Sequence, residues 1–144
     1  MKLDAIEAVC LDLNTVRNDF IFIHVNSFGS SFRDAHELSE EYYKHLQDDI
    51  DGLLEMYGGL SDGRIAVPFN LNKSSGTYVR SSELSDAKDL FNAIKDLCTI
   101  VTDDLEKARA TVSATGINGY ISEIDGVLQY WEKQARYMAR RYCV

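Results

Sequence analysis

From about Leu3 to Asn26 the apolar residues Ile6, Val9, Leu13, Val16, Phe20 and Ile23 step by three or four, the spacing of one buried helical face. Phe20-Ile21-Phe22-Ile23 taken alone reads as a strand, but the periodicity runs into it unbroken, so the first helix is predicted through it. Ser27-Phe28-Gly29-Ser30-Ser31 then supplies a turn and an N-cap candidate. A second helix is predicted from about Phe32 to Tyr57, with Ala35, Leu38, Tyr42, Leu46, Ile50, Leu53 and Tyr57 as its seam and Gly58-Gly59 as its end. A third is predicted from about Glu83 to Ala114, carrying Leu84, Ala87, Leu90, Ile94, Leu97, Val101, Leu105, Ala108 and Val112 and closed by Thr115-Gly116. The fourth runs from about Ile117 to Tyr142, with Ile121, Ile124, Leu128, Trp131 and Met138 on its apolar side. Gly119 and Gly126 lower its intrinsic helical propensity.

Between Leu60 and about Ser82 the pattern breaks into Gly63, Pro68, Gly76 and a scatter of serine and asparagine. A connection of about 20 residues is too long for a hairpin between antiparallel neighbours. It suits a bundle in which the second and third helices run parallel and the chain travels the length of the molecule between them. The expected fold is therefore all-α: a ferritin-like four-helix bundle with one long crossover between helices two and three, formed by a single domain over residues 1–144. No internal repeat or low-complexity tract interrupts it.

Composition agrees with this picture. One proline and nine glycines in 144 residues favour long helices, and 45% hydrophobic with 26% charged residues fits a globular chain able to bury a core. The net charge of −8 attracts cations and repels nucleic acid at long range. Cys10, Cys98 and Cys143 are odd in number and far apart, which disfavours a disulfide framework or a zinc site and points to a reducing, cytoplasmic setting. Cys10 and Cys98 read as small apolar packing residues. The first residues, MKLDAIEAVCLDL, carry acids inside their apolar stretch and do not read as a signal peptide, and no apolar run is long enough to span a bilayer.

Metal-ligand residue types concentrate between His24 and Glu55. On the second helix, His36 and Glu40 lie four apart, as do Asp51 and Glu55, so each pair shares one face and could grip one ion. Imidazole mixed with carboxylate suits borderline cations such as Fe²⁺. Such pairs are also common on solvated helix faces, so neither is decisive alone. Their separation sharpens the question: Glu40 and Asp51 are roughly 16 Å apart along a straight helix and cannot bind the same ion within one chain. Two copies of the helix packed antiparallel about a twofold axis would bring His36 and Glu40 of one beside Asp51 and Glu55 of the other.

The run His24-Val25-Asn26-Ser27-Phe28-Gly29-Ser30-Ser31-Phe32-Arg33-Asp34-Ala35-His36 resembles the signature of the Dps family, the DNA-protection-during-starvation miniferritins. There a HWNxxG-like turn ends the first helix and a second histidine follows after eleven residues. An acid lies four further on, and an Asp-x-x-x-Glu pair comes one helical stretch later. His24, His36, Glu40, Asp51 and Glu55 stand at those positions, and the likeness in helix order covers nearly the whole chain. The chain departs from the pattern at Val25, where the family usually has Trp, and at Glu40, where Asp is commoner.

The resemblance implies a ferroxidase in which His24, His36 and Glu40 come from one subunit and Asp51 and Glu55 from its partner. Iron would be oxidised by hydrogen peroxide, or by O₂, and stored as ferric mineral within a homo-oligomeric shell, usually a dodecamer built from twofold dimers. Asp48 and Asp49 flank the proposed site and are candidates to feed cations to it, while Glu123 and Asp125 are candidates for a pore lining. Many members bind DNA through a lysine-rich tail; here only Lys2 precedes Asp4 and Glu7, so binding is expected to be weak or absent. The basic residues Lys133, Arg136, Arg140 and Arg141 suit a helix C-terminus. Two other readings compete: a shell or DNA-compacting particle without effective ferroxidase activity, and a monomeric adaptor bundle.

Overall fold

The computed structural model describes residues 4–61, 77–80, 84 and 86–142. Four long helices form it: α1 (Asp4–Asn26), α2 (Phe32–Leu60), α3 (Ala87–Ser113) and α4 (Asn118–Lys133). A single π-helical turn, Gln134–Met138, follows α4 and leads into the short α5 (Ala139–Tyr142). The described residues contain no strand. Phe20-Ile21-Phe22-Ile23 lies within α1, as the periodicity requires.

The seams meet in one core. Ile6, Leu13, Val16, Phe20 and Ile23 of α1 pack with Leu46, Ile50 and Leu53 of α2, with Leu90, Leu97, Val101 and Leu105 of α3, and with Ile124 and Trp131 of α4. Cys10 and Cys98 are both buried in it, and burial pushes the Cys10 thiol up to about 12, in keeping with a packing role. At its centre Phe20 stacks on Trp131 at 6.1 Å, and Tyr42 leans on both rings.

Cross-contacts fix the directions of the helices. The start of α2 (Leu38, Tyr42) shares a small pocket with the start of α3 (Phe91, Ile94) and with Tyr142. At the far end of α2, Gly59 meets Tyr120, near the start of α4. Helices α2 and α3 therefore run parallel, as expected for a bundle with a long crossover between them. Residues 62–76, including Gly63, Pro68 and Gly76, lie outside the described residues, but the end of the connection is seen strapped to α1. Thr77 Oγ1 donates to Asp19 Oδ1 at 2.6 Å, the Tyr78 amide donates to Asp19 Oδ2 at 2.8 Å, and the Tyr78 hydroxyl donates to Asp12.

Four local expectations are corrected. Gly58-Gly59 does not end α2, which continues to Leu60 and closes with the Ser61 amide bonded to Tyr57 O at 3.0 Å. A Cβ at Gly59 would lie 2.1 Å from the Tyr120 hydroxyl, so glycine serves a close helix approach at this point. Helix α3 starts at Ala87, because the Asp86 side chain accepts the Asp89 amide at 2.9 Å and caps it there. Ser31 occupies the N-cap position of α2 but makes no side-chain cap. The fourth helix is not continuous to Tyr142: the π turn intervenes where the buried Gln134 accepts from the Tyr42 hydroxyl at 2.8 Å.

Candidate metal centre

The turn from α1 to α2 is tight. Asn26 Nδ2 donates to Phe22 O and Ser27 Oγ to Ile23 O, tying off the last turn of α1. Gly29 then takes φ +76°, a conformation that glycine adopts without a Cβ penalty, and its carbonyl accepts the Phe32 amide at 3.1 Å. The first turns of α2 are thereby folded back beside the last turn of α1.

This brings His24 and His36 face to face, ring centroids 3.7 Å apart and nearly parallel. Each Nδ1 lies 2.8 Å from the backbone carbonyl oxygen of the other residue. A carbonyl only accepts, so both Nδ1 atoms carry hydrogen, and in the neutral ring Nε2 keeps the lone pair available for a metal. Tyr43 meets the His24 ring edge-on at 5.5 Å, and Phe32 stacks on His36 at 4.8 Å.

Glu40 follows one turn beyond His36 on the same side of α2. Its Oε1 is 2.8 Å from Lys44 Nζ. The ammonium beside it holds its carboxyl below the usual carboxylate range, and His24 and His36 act in the same direction. Asp51 and Glu55 lie further along α2 and are exposed. The chain thus joins His24, His36 and Glu40 in one neighbourhood and leaves Asp51 and Glu55 in another. Among the described residues, no group of three His, Cys, Asp or Glu side chains is placed to hold an ion. The imidazole corner is also unusually apolar: Val25 (67% exposed), Phe28 (41%) and Phe32 (45%) stand open to solvent around it.

Asp49 is not available to feed cations. It is buried, with Oδ2 accepting from Trp131 Nε1 at 2.6 Å and from His45 Nδ1 at 2.9 Å. Its position on the core side of α2, three residues after Leu46 and one before Ile50, explains the burial, and desolvation raises its carboxyl above the usual range. Asp48 remains exposed. Of the two pore candidates, Asp125 is paired with Arg109 Nε at 2.5 Å, while Glu123 is exposed.

The His45–Asp49–Trp131 cluster was not visible as a unit in the sequence. His45 and Asp49 show helical spacing, but only the fold brings Trp131 to them, with Tyr130 stacked on the His45 ring at 3.5 Å.

No protein-family model matches this chain, and neither does any curated protein. Among solved structures it is similar to a crystal structure of a Dps protein from Bacillus brevis, with a TM-score of 0.75 and 18% identity, covering 100% of both chains. The chain has a Dps-like, ferritin-like fold.

Proposed function

We propose that this protein is a miniferritin that oxidises Fe²⁺ at sites shared between two copies of the chain. The observation that carries the reading is the reciprocal His24–His36 clamp, which leaves two Nε2 atoms as ligands beside an ionised carboxylate at Glu40. A half-site of this kind gains from a partner. His36 and Glu55 are centred on the same level of α2 as Glu40 and Asp51, between residues 45 and 46. A single twofold axis there sets His36 against Glu55 of the partner subunit and Glu40 against Asp51 of the partner subunit. The exposed Val25, Phe28 and Phe32 offer apolar surface for the same contact.

Iron is the substrate. Carboxylate oxygen stabilises Fe³⁺ over Fe²⁺, so such a site favours electron loss to an oxidant. Two Fe²⁺ each give one electron to hydrogen peroxide, which takes up two protons and leaves as two waters; O₂ is the alternative oxidant. The ferric product is stored in a shell, which we take to be a dodecamer of twofold dimers. Asp51 and Glu55 complete the ligand set from the partner subunit, with iron as the only metal required.

No described helix is long and apolar enough to cross a membrane. We place the protein in the cytoplasm, where Fe²⁺ is available, and expect weak or no DNA binding from a chain of net charge −8. The test is to add Fe²⁺ and peroxide, follow ferric absorbance, and compare the parent with a His36→Ala/Asp51→Ala variant. A parent at least ten times faster supports the reading; equal rates remove the site. Loss of the oligomer without loss of oxidation would remove the shared-site geometry.

A further inference from the structure

Helix α2 carries eight acidic side chains and two permanent cations, Arg33 and Lys44. Arg33 is engaged at the N-terminus of the helix by Glu37, at 3.1 Å. Of the cations on α2, Lys44 is thus the one available to the acidic stripe that holds Glu40, Asp51 and Glu55, and its ammonium is bonded to Glu40 at 2.8 Å. A Glu with a Lys four residues later is the favourable order for such a helical pair.

Most exposed pairs of this kind do little. This one differs in its place. The carboxylate it occupies is the one set beside His24 and His36, and Lys44 also lines an open hollow with Arg17, Ile21, Tyr43, Gln47 and Asp48. About the twofold axis proposed above, Lys44 lies at the level of Gln47 of the partner subunit, between the two half-sites. The ammonium then stands among carboxylates of both chains.

We propose that Lys44 is a place-holding cation: it neutralises Glu40 in the metal-free pair and must leave before Glu40 can bind a divalent ion. This deepens the shared-site reading and rests on it. The exchange replaces one positive charge by two at the same carboxylate. The long, flexible stem of Lys44, 66% exposed, lets the ammonium swing into water while the backbone stays put. Without Lys44 the clustered carboxylates repel one another when empty and receive a metal without competition.

The experiment uses the full-length chain and Co²⁺ without peroxide, read by calorimetry and by the visible absorption of the bound ion, in the parent, Lys44→Gln and Lys44→Arg. Removing a unit charge one side chain away from a divalent ion should tighten binding on the order of tenfold in Lys44→Gln. Lys44→Arg should stay near the parent, and metal-free Lys44→Gln should dissociate at higher protein concentration than the parent in sedimentation. Equal or weaker Co²⁺ binding by Lys44→Gln overturns the proposal. A His36→Ala/Asp51→Ala control separates the two levels. If it abolishes binding while Lys44→Gln matches the parent, only the role of Lys44 fails. If Co²⁺ binds the control as well as the parent, the shared site fails and Lys44 with it.

Discussion

The Nδ1 atom of His24 lies 2.8 Å from the carbonyl oxygen of His36, and the Nδ1 atom of His36 lies 2.8 Å from the carbonyl oxygen of His24. Each residue thus fixes the ring orientation and tautomer of the other, a task that metal sites commonly assign to separate outer-shell groups. The two rings also stack at 3.7 Å, so loss of either ring uncovers a face of the other but leaves in place the backbone carbonyl that orients it.

The shared half-site leads to a first prediction. His24→Ala should lower peroxide-driven iron oxidation on the order of 100-fold, and His36→Ala by the same order, because each removes a proposed ligand and even outer-shell partners are worth 10- to 100-fold. The double variant should be little worse than either single one. Stopped-flow ferric absorbance checks this; cleanly multiplicative losses would show that the two rings do not serve one metal site.

The apolar corner around the imidazoles gives a second. Val25 is 67% exposed, so Val25→Lys should leave the fold of the chain intact. In a pair closed over that corner it buries a charge and should shift the solution mass towards smaller species. Light scattering at several protein concentrations reads the result, and an unchanged mass would place the interface elsewhere.

Asp49 supports a third. Its carboxylate satisfies the buried Trp131 N–H and the His45 N–H together. Asp49→Ala leaves the indole donor unpaired in the core and should cost about 1–3 kcal/mol. Asp49→Asn, which keeps an acceptor oxygen, should cost less. Chemical denaturation measures both, and equal losses would argue that volume alone matters there.

A fourth concerns pH. Asp104 is buried on α3, where burial first, and then the neighbouring Asp12 carboxylate, raise its carboxyl from 3.8 to about 8, against a weak pull from Lys107 at 3.8 Å. Because the folded chain holds this proton more tightly than the unfolded chain does, the stability it contributes is complete below about pH 4 and is lost as pH rises to about 8. Asp104→Asn mimics the protonated form. It should match the parent near pH 4 and exceed it by about 1–3 kcal/mol at pH 8. A difference that does not grow with pH would contradict the assignment.

Much of the fold is legible in the order of the residues. Three- and four-residue steps locate a helix because burial of one face is a local, periodic demand, and the long break after Leu60 implied parallel neighbours. The ends were less legible. Glycine usually stops a helix, but Gly59 sits inside α2 because another helix needs the space its missing Cβ leaves. Asp49 read as a candidate to feed cations because the sequence alone does not show that Trp131 donates to it in the core.

The sequence by itself determined the bundle, its crossover, and the spacing that keeps Glu40 from reaching Asp51, since these follow from helical rise and periodic burial. Only the tertiary structure decided that His24 and His36 hold each other through their backbones, and that Lys44 lies on Glu40. Such choices depend on which atoms a turn of the chain brings within hydrogen-bond reach, and residue type does not specify that distance.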